Sequence, residues 1–168
     1  MRYTRGLERL IFTPEFNVVL FSFLLNLPWE VWQVPFFQGM ADQPYWLGVK
    51  ACTESTFGDA AIGLAAFWIA AIFAKSRSWI LQPRKLNTAV FLAVGILATI
   101  IIEALATGPL ERWTYDEAMP RVPILGTGLL PLLQWLLLPS IVLYIVRRQI
   151  GELEQSYEVI GTARRLGK

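Results

Sequence analysis

The chain has no histidine, one cysteine (Cys52) and only 17% charged residues. Without histidine there is no His-ligated haem, no His-carboxylate di-iron centre, no Ser-His-Asp triad and no histidine proton relay. A lone cysteine excludes an internal disulfide and a multi-thiolate metal site. No GxxxxGK[ST] or GxGxxG phosphate loop is present, and no carboxylates stand at the spacing of a cation-binding loop, so no metal or cofactor is expected. Internal repeats, low-complexity tracts and strictly alternating apolar segments are also missing, which argues against a transmembrane barrel.

What the chain has is apolar length. At 55% hydrophobic residues and a mean hydropathy of +0.47, it departs from soluble domains of 168 residues. Four long runs stand out, at about 16–37, 57–74, 87–106 and 125–146. Each is close to the roughly 20 residues a helix needs to cross hydrocarbon. The expected fold is all-α: an integral membrane four-helix bundle in one domain over 1–150, followed by a short cytoplasmic tail, 151–168, forming a fraying helix. The first run is too long for the 7–15-residue apolar region of a signal peptide and contains Glu30, so it is read as retained.

Orientation follows from the basic residues. Twelve of the 15 lie at the N-terminus (Arg2, Arg5, Arg9), between the second and third runs (Lys75, Arg77, Arg84, Lys85) and in the tail (Arg147, Arg148, Arg164, Arg165, Lys168). Lys50, Arg112 and Arg121 occupy the other two connections. The positive-inside rule then puts both termini in the cytoplasm of a multi-pass inner (plasma) membrane protein. The net charge of +2 carries no nucleic-acid signal.

With that topology, the polar residues inside the runs gather in one leaflet. Asn26, Glu30 and Gln33 stand at i, i+4 and i+7, a single helical stripe. Gly95, Thr99 and Glu103 form a second stripe, and Thr127, Pro131 and Gln134 a third. Asp59 is expected in the first turn of the second helix, capped by Ser55 or Thr56, where the helix dipole favours a carboxylate. From the helical rise these groups lie roughly 3–14 Å below the outer boundary. No Lys or Arg lies inside any run to neutralise Glu30 or Glu103. Ionisable groups in a membrane point to a functional site, whereas Asn26, Thr99 and Thr127 are also explained by interhelical hydrogen bonds.

The candidate site is therefore Glu30, Glu103 and Asp59 as acid or partner groups, with Asn26, Trp29, Gln33, Thr99, Trp113, Tyr115, Gln134 and Trp135 as ligand contacts. Trp29, Trp32 and Trp135 are read as walls of an apolar pocket, and Trp46, Trp79 and Trp113 as aromatic-belt anchors. The loop 107–124 is dense in charges, aromatics and prolines, as a lid over the cavity or a solvated connector would be. Pro28, Pro35, Pro131 and Pro139 are candidate kink sites.

The stretch 103–139 resembles the bacterial integral-membrane carotenoid-biosynthesis proteins, lycopene cyclases among them. It matches in Glu103 at a helix end, Trp113-Thr114-Tyr115 in the loop and Val122-Pro123-Ile124 before the next helix. The cyclases follow that proline with paired acids. Here none follow, and Gln134 is the nearest polar group in the run. Glu30 and Asp59 also look distantly like the acidic pair of small four-helix sterol-isomerase and sterol-binding membrane proteins. Both resemblances imply an isoprenoid-type ligand, bound or converted by acid catalysis. The other reading is an accessory subunit of a larger membrane complex, in which partner subunits replace the membrane lipid or hydrophobic small molecule.

Overall fold

A computed structural model describes the backbone of residues 11–166 and side chains as far as 152; Arg2, Arg5, Arg9 and Lys168 lie outside the described residues. Four helices follow one another: α1 (Pro14–Gln33), α2 (Tyr45–Ala74), α3 (Lys85–Thr107) and α4 (Leu129–Leu166). Each boundary has a local cause. Pro14 opens α1, where its missing N–H is not needed, and Pro35 follows the end of α1, where the chain tightens into a 3-10 turn at Val34–Phe36. Lys75 ends α2 in the left-handed region (φ 51°), with the Ser76 N–H closing back on the Ala71 carbonyl at 3.1 Å. Pro83 and Gly108 bracket α3. Pro131 falls in the first turn of α4, where an N–H would have no intrahelical acceptor, so Pro28 and Pro139 are the prolines inside helices.

The helices pack in a ring: α1 against α2 and α4, and α3 against α2 and α4. Glu15 at the start of α1 pairs with Arg77 just after α2. At the opposite end, Phe37 just after α1 bridges to Tyr115 just after α3. This is up-and-down connectivity.

Towards the Glu15–Arg77 end the interior is apolar, built from Val18, Phe67, Ala70, Trp79, Ile80, Phe91, Val142 and Val146. Phe67 stacks on Trp79 at 5.7 Å, Trp79 on Phe91 at 5.9 Å, and the Trp79 indole N–H reaches the Phe67 carbonyl at 3.2 Å. Trp79 is thus a core residue, 3% exposed, and not an aromatic-belt anchor. Its flanking charges concealed that in the sequence. Small residues set the helix spacing: a Cβ at Gly63 would come within 2.9 Å of Ser22 Oγ, and one at Gly95 within 2.0 Å of the Trp135 ring.

Outside, the bundle is apolar as well. Leu24, Phe57, Ile72, Phe73, Leu97, Ile101 and Leu136 are all exposed. Three helices, α2, α3 and α4 to Glu152, are long and apolar enough to cross a membrane, and only 28–50% of their most apolar stretches is buried in the bundle. A surface this apolar suits lipid and not water. The 20-residue α1 falls below that apolar level because Asn17, Asn26, Glu30 and Gln33 interrupt it. Asn17, Asn26 and Gln33 are buried against the neighbouring helices.

Three expectations about local structure are corrected. α2 begins at Tyr45, twelve residues before the apolar run, so Asp59 lies in mid-helix and Ser55 and Thr56 cap nothing. Thr56 instead donates to the Cys52 carbonyl one turn earlier, at 2.7 Å. Thr127 precedes α4 and is not on its stripe. The tail is helical as expected, as a direct continuation of α4 to Leu166.

Candidate functional site

Away from the apolar core, the four helices diverge around a cavity of about 480 Å³. Its walls include Glu30 and Gln33 of α1, Asp59 of α2, Thr99 and Glu103 of α3, and Gln134 and Trp135 of α4. The stripes on separate helices do turn to one interior, because polar side chains find partners there and none on the apolar outer surface.

Gln134 is the hub. Its Nε2 lies 2.7 Å from Asn26 Oδ1, 2.9 Å from Asp59 Oδ2 and 3.0 Å from Glu30 Oε1. Its Oε1 accepts from Gln33 Nε2 at 3.0 Å. Asn26 is fixed in turn by donating to the Ser22 carbonyl at 2.7 Å, and Gln33 Nε2 is 3.4 Å from Glu30 Oε1. One buried amide thus ties α1 to α2 and α4. An amide NH2 has two hydrogens, and three acceptor oxygens surround this one. Turning the Gln134 amide over would set an oxygen against all three, which is worse. The Glu30 and Asp59 carboxyls are also within hydrogen-bonding reach of each other. Two carboxylate oxygens and one amide oxygen thus converge on the two hydrogens of a single amide.

Glu103 forms a second group at the roof of the cavity. It is 8% exposed and accepts from the Trp113 indole N–H at 3.2 Å and from the Tyr115 hydroxyl. Tyr115 also accepts from the Gly128 N–H at 2.9 Å, so one phenol ties the middle and the C-terminal end of the 108–128 loop to α3. Further main-chain bonds join that loop to the end of α1, Gln38 N to Thr114 O and Asp116 N to Phe36 O, both 2.9 Å. Trp113 and Tyr115 pack edge-on and tilted against Phe37, and Arg121 lies 5.2 Å over the Tyr115 ring. Burial, and then the hydrogen bond to Glu103, hold the Tyr115 phenol above the ordinary tyrosine value, so it keeps its proton and continues to donate. The loop is anchored to the bundle end through Trp113, Tyr115 and the buried Met119, while most of its other residues are exposed.

Not every expected contact belongs here. Trp29 and Trp32 face a shallow outer groove with Leu25, Pro28 and Leu138, away from the carboxyls. Trp29 is one residue from Glu30, about 100° around the helix, which turns it off the stripe. Thr99 lines the cavity, but its hydroxyl is engaged by the Gly95 carbonyl at 3.0 Å. Cys52, Ile62, Ile102 and Arg112 line the cavity without having been expected there. Cys52, Asp59 and Ile62 fall at i, i+7 and i+10, a helical face recognisable only once α2 is known to start at Tyr45. Among the described residues, no group of three or more His, Cys, Asp or Glu could hold a metal ion.

Comparison with protein-family models, curated proteins and solved structures found no match to this chain.

Proposed function

We propose that the chain crosses the inner (plasma) membrane four times, with both termini cytoplasmic, and that it binds a lipid-like, isoprenoid-type molecule in the carboxyl-lined cavity. The observation that carries the reading is the convergence of Glu30, Asp59 and Glu103, from three helices, on one cavity whose basic lining residue is Arg112 of the loop. Such a set would be costly to maintain for assembly alone. The cavity volume of about 480 Å³ is that of a small-molecule site. A proton carried by Glu30 or Asp59 would be available to a weakly basic group of the ligand, as a hydrogen bond or as a transferred proton. Glu103, held by Trp113 and Tyr115, is the second acid, and Gln134 orients the first pair. α1, the least apolar helix, spans beside the others because its amides are bonded within the bundle.

The second reading is an accessory subunit whose polar groups serve assembly. In its favour, Asn26, Gln33 and Gln134 largely satisfy one another, as interhelical glue does. Lipids co-extracted with purified wild type and with Glu30→Leu, identified by mass spectrometry at equal protein, separate the two. A defined isoprenoid-type species lost in the variant supports the first reading; bulk membrane lipid in both supports the second. For topology, reporter fusions after residue 80 and at the C-terminus should report cytoplasm, and fusions near 45 and 116 the outside. A cytoplasmic signal at 116 would remove the four-span arrangement.

A further inference from the structure

The walls of the cavity are not equally closed. On the α1 and α4 sides, Gln33, Gln134 and Trp135 are buried. At the roof, Trp113 is tied to Glu103, with the exposed Leu110 and Arg112 at the cavity edge. On the α2 and α3 side, Ser55, Gly58, Ile102 and Leu105 both line the cavity and lie exposed on the outer surface. Ile102 is 41% exposed and Leu105 45%, and a Cβ placed on Gly58 would meet nothing within 4 Å. The cavity therefore breaks the surface between α2 and α3. The depth of that break follows from helical rise. Gly58 stands about 24 Å from Ala74 at the far end of α2, leaving roughly 6 Å of a 30 Å hydrocarbon layer above it. Ile102 stands about 7–8 Å below Thr107, the end of α3. The two flanks of the gap agree, and both lie inside the outer leaflet.

We propose that this gap is a lateral portal through which the ligand enters from the bilayer. The inference rests on the ligand reading above and narrows its substrate class: a molecule dissolved in the membrane, entering polar group first, with that group reaching the Glu30–Asp59 pair and its apolar remainder lying between Gly58 and Ile102. A water-soluble metabolite would instead need an opening at the roof, where Arg112 stands at the cavity edge.

Cys52 supplies the probe, since it is the sole cysteine of the chain and lines the same cavity. In liposomes, a bilayer-partitioning maleimide such as N-pyrenylmaleimide is expected to modify Cys52, whereas a water-soluble trimethylammonium methanethiosulfonate is not. Gly58→Leu, which adds its side chain in open space on the lipid side, is expected to abolish the hydrophobic labelling, and Ile102→Ala to accelerate it. Both variants should elute as wild type from a sizing column. Equal labelling by the charged reagent, or labelling unchanged in Gly58→Leu, would place the entrance at the water face and overturn the portal. So would resistance to both reagents that persists in Ile102→Ala. Labelling needs no ligand, so a protein that labels as expected yet carries no defined lipid keeps the portal and loses the ligand reading.

Discussion

The half of the bundle around Phe67, Trp79 and Phe91 and the half around Glu30, Asp59 and Gln134 are made from the same four helices, yet they treat polar groups differently. In the first half the buried Asn17 turns its amide to the carbonyls of Ile11 and Thr13, at 2.7 and 2.9 Å, at the start of its own helix. The helices there are held by stacked rings and small-residue contacts, and the polar contact within the stack is the Trp79 indole N–H donating to the Phe67 carbonyl. In the second half Gln134 bonds across to α1 and α2, and Glu103 binds the loop that follows its own helix. Apolar packing excludes everything, solvent included, and leaves no space. A polar network satisfies a few directions and leaves gaps, and the cavity lies where the network is. The difference separates a close-packed half that sets the arrangement of the helices from a half that leaves a cavity among them.

That contrast predicts which substitutions cost stability and which cost binding. The largest loss of stability is expected from Phe67→Ala, since Phe67 is fully buried and makes ring contacts with both Trp68 and Trp79. The cost should be about 3–5 kcal/mol, read as a lower midpoint of thermal unfolding in detergent, with bound lipid per folded molecule unchanged. A parallel fall in lipid content would mean that the two halves are not separable. Gln134→Leu comes next. It strands Asn26 Oδ1 and the two carboxyls in the interior, at about 1–3 kcal/mol of desolvation for each buried group left unpaired, and should empty the cavity as well. Glu30→Gln is milder for the fold. Gln keeps the shape and a donor, so stability should change by less than about 1 kcal/mol. It cannot deliver a proton, so an acid catalyst would lose turnover while retaining its ligand, and Glu30→Leu would lose both. Wild-type turnover and lipid content in both Glu30 variants would make Glu30 incidental.

How much of this was legible in the sequence depended on which physical signal each residue carried. The stripe Asn26–Glu30–Gln33 and the stripe Gly95–Thr99–Glu103 were readable because helical period and apolar surroundings coincide there, and both sets do face the interior. The start of α2 was not. Hydropathy marks where a helix meets lipid, whereas its hydrogen bonds begin at Tyr45, after Pro44, and run through Lys50, Glu54 and Ser55, all good enough in a solvated helix. That single boundary puts Asp59 in mid-helix instead of at a helix end and brings Cys52 onto the same helical face. Trp29 was misplaced because proximity in sequence was read as proximity in space. The role of Gly95 as the seat of the Trp135 ring depends on how two helices cross, which no single-chain pattern encodes.

The smallest expected effect concerns the roof and tests whether the loop belongs to the polar half or merely rests on it. Tyr115→Phe removes the hydrogen bond to Glu103 and the acceptor for the Gly128 N–H, while the ring contact with Phe37 at 5.7 Å is retained. The cost should be near 1 kcal/mol, too little to shift global unfolding far. It should appear locally, as faster hydrogen exchange at the Gly128 amide and along 108–128, with the amides around Phe67 unchanged. The pH dependence has a definite sign. The folded state holds the phenol above the ordinary tyrosine value of about 10, so its contribution is complete below that value and is lost as pH rises through the folded one. The wild-type Gly128 amide should accordingly lose protection relative to the core in strong base, and Tyr115→Phe should be without that excess loss. Equal protection of Gly128 in the two proteins would mean that backbone bonds to Phe36 and Gln38 hold the loop alone, and that Glu103 is ordered by Trp113 without the phenol.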